Sequence, residues 1–254
     1  MLPLPLFLVL LAVMALSIFL ALPLVLHPRA QGRGAVFLNA GAIGILLFLL
    51  ADIFGNVLPL IASPSSAFQT QSVPDIVFVV GVVGAFLALM VLTSPSRSPG
   101  LTTPVRMALV VATGIALQNF TEGLVFGAVW PAQATGLLAV IFVGFVLQNV
   151  TEGLPIAAPF LGAGRPPVRL MVVLFLLAGL PTILGGGIGY FANSTTVDLL
   201  FDGLAIGAIA YVLLPMTKAA LRPAPSPDAS RFRERLVYLG VLTGFVVGFL
   251  VNAI

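Results

Sequence analysis

The chain alternates long apolar runs with short segments rich in proline, glycine, serine and arginine. A helix needs roughly 20 apolar residues to cross a bilayer, and eight runs reach that length. No linker is long enough for a separate domain, so the pattern predicts one all-α transmembrane domain over residues 1–254. The predicted spans 1 to 8 cover residues 3–26, 34–60, 73–93, 104–129, 134–161, 168–192, 197–221 and 234–254.

Basic residues fall on one side of the predicted bundle. All 11 Lys and Arg residues lie in or beside the segments that follow spans 1, 3, 5 and 7. The positive-inside rule makes that side cytoplasmic, so both termini are expected outside. Span 1 lacks basic residues before it, which favours a retained helix over a cleaved signal peptide. We therefore expect a protein integral to the plasma (inner) membrane and surrounded by the lipid bilayer.

Four of the eight acidic residues lie toward the opposite, outer side. Asp75 and Asp198 fall at outer helix ends, whereas Asp52 and Asp202 fall in the outer halves of spans 2 and 7. An acidic outer mouth concentrates cations, although acids that only cap or solvate helix ends give the same pattern. Asp52, Asp202 and the nearby Asn56 are candidate residues of an outer pathway.

One polar motif occurs twice inside the apolar spans, as QNFTEG in span 4 and QNVTEG in span 5. A rise of about 1.5 Å per residue places both copies near the middle of the membrane. A carboxylate at that depth is costly and normally marks an ion or substrate path. The amide and carboxylate residues of the two copies are Gln118, Asn119, Glu122, Gln148, Asn149 and Glu152.

Helical spacing puts the polar residues of each copy on one face, because Gln118 and Asn119 precede Glu122 by four and three positions. Spans 4 and 5 are consecutive, so two facing copies would surround one small volume with carboxylate and amide oxygens. These oxygens suit hard or borderline divalent cations, and Gly123 and Gly153 permit close helix approach. The alternative is a polar clamp, in which protonated glutamates and amides bond for packing alone.

Composition narrows the chemistry further. Hydrophobic residues make up 60% of the chain and charged residues 7%, against about 25% charged in soluble domains. The absence of Cys excludes thiolate ligands and disulfides, and the single His27 excludes a His-rich site within one chain. The scattered basic residues predict no nucleic-acid partner. No Ser/His pair, Asp pair or HExxH motif indicates an enzyme.

The two motifs resemble those of the ZIP (Zrt/Irt-like protein) family of metal transporters, in an atypical prokaryotic-type form. That family carries His-Asn-x-x-Glu/Asp-Gly in span 4 and a related motif in span 5, which together form a binuclear metal site. The resemblance implies spans 1–3 and 6–8 as inverted repeats around spans 4 and 5, and Pro59 and Pro215 suit such a repeat. It also implies a homodimer, with zinc, iron or manganese carried into the cytoplasm as substrate and no permanent cofactor.

The family pattern is only partly kept. Gln118 stands where the family usually has His, Asn149 where many members have Asp, and Thr182 where prokaryotic relatives often have Glu. These substitutions keep open a second hypothesis, a non-transporting ZIP-like protein that acts as a sensor or scaffold. The metal ligands that the resemblance implies are Gln118, Asn119, Glu122, Gln148, Asn149, Glu152 and Thr182.

The missing imidazole predicts a change in metal preference. Imidazole suits zinc, whereas an all-oxygen site favours harder cations such as manganese or magnesium. We therefore expect zinc to bind this protein more weakly than it binds a His-containing relative, as measured by isothermal titration of purified protein. Submicromolar zinc affinity without any manganese binding would contradict this expectation.

Overall fold

The structure is a computed structural model that describes residues 2–27, 33–61, 73–93, 102–132, 135–161, 166–192, 194–222 and 226–253. Every regular element within these ranges is helical. Eight helical segments in the described part of the chain are long and apolar enough to cross a membrane, which confirms the predicted all-α class and number of spans.

Within the described ranges, ten α-helices build the eight spans, because spans 1 and 6 each contain two. Short 3-10 turns join α1 to α2 at Ile18–Ala21 and extend spans 4 and 5 at Trp130–Ala132 and Ala158–Phe160. The helices are α1 Leu4–Ser17, α2 Leu22–Leu26, α3 Arg33–Ile61, α4 Val73–Leu92, α5 Thr103–Val129, α6 Thr135–Ala157, α7 Val168–Gly179, α8 Pro181–Phe191, α9 Thr195–Ala220 and α10 Pro227–Asn252.

Proline accounts for the interruptions in spans 1 and 6. Pro23 follows the 3-10 turn of span 1, and Pro181 opens the second helix of span 6. A proline has no N–H to donate, and its ring clashes with the carbonyl four residues earlier. Leu180 keeps helical dihedral angles (φ −58°, ψ −30°), so span 6 bends at this point without unwinding. Backbone carbonyls beside both interruptions become available to side chains.

Span 8 begins earlier than the sequence pattern predicts. The prediction placed its start at residue 234, whereas α10 begins at Pro227, after Ser226, whose hydroxyl oxygen accepts from the Ala229 N–H at 3.2 Å. The helical cap and Pro at the first position favour a helix start there. The prediction was wrong because the first two turns are charged, and a search for apolar runs excludes them.

Spans pack in parallel pairs along glycine-lined seams. Span 2 lies against span 8, span 3 against span 7, span 4 against span 6, and span 5 against span 1. Span 4 is the most buried of the eight, while spans 3, 8 and 5 expose apolar faces. Span 5 therefore lies closer to the surface of the bundle than span 4, although the repeated motif predicts that both spans lie at its centre.

The two ends of the bundle differ in charge. At the acidic end, spans 2, 4, 6 and 8 finish, and Asp75 and Asp198 lie there at the starts of spans 3 and 7. The described Arg and Lys residues lie at the basic end. They are Arg33 at the start of span 2, Arg106 and Arg169 in the first turns of spans 4 and 6, Lys218 and Arg222 at the end of span 7, and Arg231, Arg233 and Arg235 in the first three turns of span 8. Arg29, Arg97 and Arg165, three of the basic loop residues, lie outside the described residues.

Close packing of spans 2 and 8 depends on Gly44. A Cβ added there would overlap the backbone carbonyl oxygen of Val241 and lie 2.7 Å from the Phe245 nitrogen, whereas one added at Gly55 meets nothing within 4 Å. We predict that Gly44→Ala lowers the free energy of unfolding by about 1–3 kcal/mol. Thermal unfolding in detergent measures this loss.

Gly55→Ala is the matched control on the same helix. It should be neutral or slightly stabilising, because Ala favours a helix over Gly by up to about 1 kcal/mol. Equal melting temperatures for the two variants would contradict the close contact between spans 2 and 8.

Candidate cation site

The structure places all seven predicted ligand residues in the protein interior. Asn119, Asn149, Glu152 and Thr182 are 0% exposed, and the others are at most 6% exposed. They come from spans 4, 5 and 6, which contact one another at the middle of the bundle. The seven residues are Gln118, Asn119, Glu122, Gln148, Asn149, Glu152 and Thr182.

The span 4 motif presents one face to span 6. The Asn119 side-chain NH2 donates to the Ala178 carbonyl at 3.1 Å, beside the bend at Pro181. One turn later, a Cβ on Gly123 would overlap the Thr182 carbonyl oxygen. Asn and Gly of the motif therefore dock span 4 onto span 6, and this contact brings Thr182 to the site.

The span 5 motif makes the corresponding contacts with span 1. The Asn149 NH2 donates to the Met14 carbonyl at 3.2 Å, just before the 3-10 turn. A Cβ on Gly153 would overlap Ala21 and approach the Ile18 carbonyl at 3.1 Å. The two glycines permit close helix approach, as the sequence predicts. However, Gly123 lets span 4 approach span 6 and Gly153 lets span 5 approach span 1, whereas the prediction placed the close contact between spans 4 and 5.

These contacts fix which way each amide points. A backbone carbonyl can only accept, so Asn119 and Asn149 must present their NH2 groups to it. Gln118 likewise donates its NH2 to a Glu122 oxygen at 3.3 Å. In all three amides the nitrogen is engaged, and the oxygen is buried without a hydrogen-bond partner among the described residues.

Unpartnered oxygens are concentrated at this site. Buried polar groups are nearly always hydrogen-bonded, and leaving one unpaired costs about 1–3 kcal/mol. Within the described part of the chain, the site contributes seven buried side-chain oxygens that lack a partner. They are Gln118 Oε1, Asn119 Oδ1, Glu122 Oε2, Asn149 Oδ1, Glu152 Oε1 and Oε2, and Thr182 Oγ1.

The two glutamates lie within electrostatic reach of each other. The side chains of Asn119 and Gln148 also approach the Glu152 carboxylate closely enough to interact, although neither makes a hydrogen bond of regular geometry. Two carboxylates so close in a medium of low dielectric constant repel each other when both are ionised. A bound cation or shared protons must relieve that repulsion.

Amide and hydroxyl oxygens are needed to complete any cation shell here. Among the described residues, no three His, Cys, Asp or Glu side chains come together in a way that could hold a metal ion. Two carboxylates neutralise one divalent cation, and the amides of Gln118, Asn119 and Asn149 and the hydroxyl of Thr182 add neutral oxygens. This donor set suits hard cations.

A cavity of about 440 Å³ leads from the site to the acidic end. Gln118, Glu122 and Gln148 line its deep part, and Leu60 and Asp198 line the part nearest the acidic end. Toward the basic end, fully buried apolar side chains of spans 4 and 5, such as Ile115 and Ile156, close the route. Among the described residues, the cavity therefore connects the site with the acidic end.

The candidate outer-pathway residues Asp52, Asn56 and Asp202 all line this cavity. Asp202 is 9% exposed, so it belongs to the wall and not to the open rim. The structure adds Asn252, whose side-chain NH2 donates to Asp52 Oδ1 at 2.7 Å. The lone Asn in the apolar end of span 8 was the sequence signal for this residue.

The sequence reading also missed the backbone carbonyls of Met14 and Ala178. Residue type gives no information about a carbonyl, although Pro181 indicates a helix interruption close to Ala178. Ser17 Oγ donates to the Met14 carbonyl at 2.6 Å, which makes the other interruption a polar point inside span 1.

Comparison of the sequence with protein-family models and with curated proteins finds no match.

The unpartnered Thr182 hydroxyl predicts an unusual stability effect. In a chelator, Thr182→Val should raise the free energy of unfolding by up to about 1–3 kcal/mol, because it removes a buried group without a partner. The same variant should gain less stability from added Mn²⁺, because one oxygen for the cation is lost. Thermal unfolding with and without the ion measures both effects.

Thr113→Val is the matched control on span 4, since the Thr113 hydroxyl donates to the Leu109 carbonyl at 2.8 Å. It should not stabilise the protein in chelator, and its gain from Mn²⁺ should equal that of the wild type. A Thr182→Val protein that loses stability in chelator and keeps the full Mn²⁺ effect would contradict the proposed role of Thr182.

Proposed function

We propose that this protein is a ZIP-like transporter of divalent metal cations of the zinc, iron and manganese class. The observation that carries the proposal is a group of seven buried side-chain oxygens, in the two motifs and at Thr182, that lack a partner among the described residues. Two of the residues that bear them, Gln118 and Glu122, line the deep part of the cavity. Intramembrane carboxylates are expensive and mark ion or substrate paths. A divalent cation would satisfy both glutamates and the neutral oxygens around them.

The polar-clamp alternative accounts poorly for these contacts. In a clamp, amides and glutamates satisfy one another, yet the only regular side-chain hydrogen bond between members of the described site joins Gln118 to Glu122. The asparagines bond instead to backbone carbonyls of spans 6 and 1. Their NH2 groups bind the neighbouring spans, and their amide oxygens stay free to bind a cation.

The distribution of charge supports a direction. Cations would be attracted to the acidic end, where Asp52, Asp198 and Asp202 line the cavity, and would reach Glu122 without crossing an apolar barrier. The positive-inside rule makes the basic end cytoplasmic. Uptake then requires a second state, in which the apolar packing around Ile115 and Ile156 opens toward the basic end.

The packing also supports the inverted repeat that the ZIP resemblance implies. Exchanging spans 1–3 with 6–8, and span 4 with span 5, converts each observed parallel pair into another observed pair. The contact of Asn119 with span 6 becomes the contact of Asn149 with span 1 under the same exchange. A midplane site between two such repeats is typical of secondary transporters.

A non-transporting sensor or scaffold is the second candidate. The observation that favours it is the small number of strong metal ligands, since the described site offers two carboxylates and no imidazole. Such a protein could keep the polar contacts between spans while releasing no cation to the other side. Transport measurements separate the two functions.

We predict that purified protein in proteoliposomes takes up Mn²⁺, and that the Glu122→Gln/Glu152→Gln double variant loses uptake by at least about tenfold. Even the loss of an outer-shell partner weakens metal sites 10- to 100-fold, and these glutamates would contact the cation directly. Metal content of filtered vesicles provides the measurement. Gln is chosen because it preserves the size and hydrogen bonding of the side chain.

Glu234→Gln is the control, because this exposed carboxylate lies at the basic end, outside the cavity. It should leave uptake unchanged. Equal flux in the wild type and the double variant, or no flux of Mn²⁺, Fe²⁺ or Zn²⁺ in either, would reject transport through this site.

A further inference from the structure

An apolar groove runs along the outside of spans 2, 7 and 8, away from the cation site. Its volume is about 450 Å³. Several of its side chains are large, hydrophobic and exposed, among them Leu47, Leu221 and Leu242. The residues that line it are Ile43, Leu47, Thr217, Leu221, Val237, Tyr238, Val241, Leu242 and Phe245.

The groove continues into a polar pocket at the basic end. This pocket of about 360 Å³ lies between the end of span 7 and the start of span 8. Leu221 and Tyr238 line both, so the two form one surface that changes from apolar to basic. Arg222 and Arg233 supply the positive charge of the pocket.

Arg233 is held in place by the end of span 7. Its Nε donates to the Ala220 carbonyl at 3.0 Å and its Nη2 to the Ala219 carbonyl at 3.3 Å. The guanidinium is thus half-buried at a fixed position, with Nη1 left for another acceptor. Arg222 is exposed, and no partner contacts its guanidinium within the described residues.

The carboxylate in the pocket lining already has a hydrogen-bond partner. Glu234 accepts a hydrogen bond of 2.7 Å from the Tyr238 hydroxyl. Two arginines against one glutamate leave a formal charge of +1 in the pocket lining. The pocket therefore complements an anion.

The length of the surface fits one leaflet of a bilayer. Ser230 at the pocket and Phe245 at the far end of the groove lie on α10, which rises about 1.5 Å per residue, so about 22 Å separates their levels. Half of a hydrocarbon core of about 30 Å, together with the adjoining headgroup layer, has a similar depth. A charged head and an acyl chain would be accommodated together.

We propose that this surface binds one anionic phospholipid from the leaflet at the basic end. The phosphate would contact Arg222 and Arg233, and an acyl chain would lie in the groove beside Leu47 and Leu242. Basic pockets between transmembrane helices are suited to anionic headgroups. A second copy of the chain fits less well, because a two-fold interface here would bring the same arginines of both copies together.

Native mass spectrometry of the full-length protein with added phosphatidylglycerol or phosphatidylcholine tests the proposal. We expect phosphatidylglycerol to bind at one site with a several-fold preference. Arg222→Gln should weaken that binding about fivefold, since a basic side chain near a membrane surface contributes about 1 kcal/mol. Arg231→Gln, an exposed arginine outside the pocket, should leave it unchanged.

A second pair of variants tests the groove separately from the headgroup. Leu47→Trp fills the groove and should abolish the bound lipid, whereas Leu87→Trp changes an exposed residue on span 3, outside the groove, and should not. Equal binding of both lipids, equal binding by all four variants, or a dimer that Leu47→Trp dissociates while no lipid is retained would each overturn the proposal.

Discussion

The cost of leaving a buried oxygen without a partner is the constraint on which this structure depends. In the apolar interior of a membrane, a buried oxygen that no protein group bonds costs free energy. The protein nevertheless carries seven of them, within its described residues, in its two polar motifs and at Thr182. A bound cation would supply the missing partner and so explain this unfavourable arrangement. The cavity would then be the route by which the cation reaches the glutamates.

The repeated motif meets this constraint with two adjacent helix faces. One face carries Gln118, Glu122 and Gln148 toward the cavity, and the other carries Asn and Gly of each copy toward a flanking span. The flanking spans are those with an interrupted helix, and each accepts an asparagine NH2 at a backbone carbonyl beside the interruption, at Met14 in span 1 and at Ala178 in span 6. The helix interruption, the orientation of the amide and the close packing at Gly123 or Gly153 therefore act together in each copy of the motif. They hold the amide oxygen in place and leave it without a hydrogen-bond donor.

Much of this architecture follows from the sequence, because hydropathy and helical periodicity act over short distances. The eight apolar spans and the burial of the two glutamates could be predicted in this way. The start of span 8 could not, since its first turns are charged like a loop. Nor could the partners of Gly123 and Gly153, because the motif shows which faces are polar but not which helix meets each face. Asn252 meets Asp52 across 200 positions of sequence, a contact that only the packing of spans 2 and 8 creates.

Anomalous scattering from crystals of the protein grown with Mn²⁺ tests the central claim most directly. The account predicts one dominant peak between spans 4 and 5, bonded to oxygens of Glu122 and Glu152 at about 2.0–2.6 Å, the range of hard divalent cations. The amide oxygens of Asn119 or Asn149 should turn to the same peak while their nitrogens keep their backbone carbonyls. A site without a peak, in which the glutamates bond to each other and to the amides, would contradict the account.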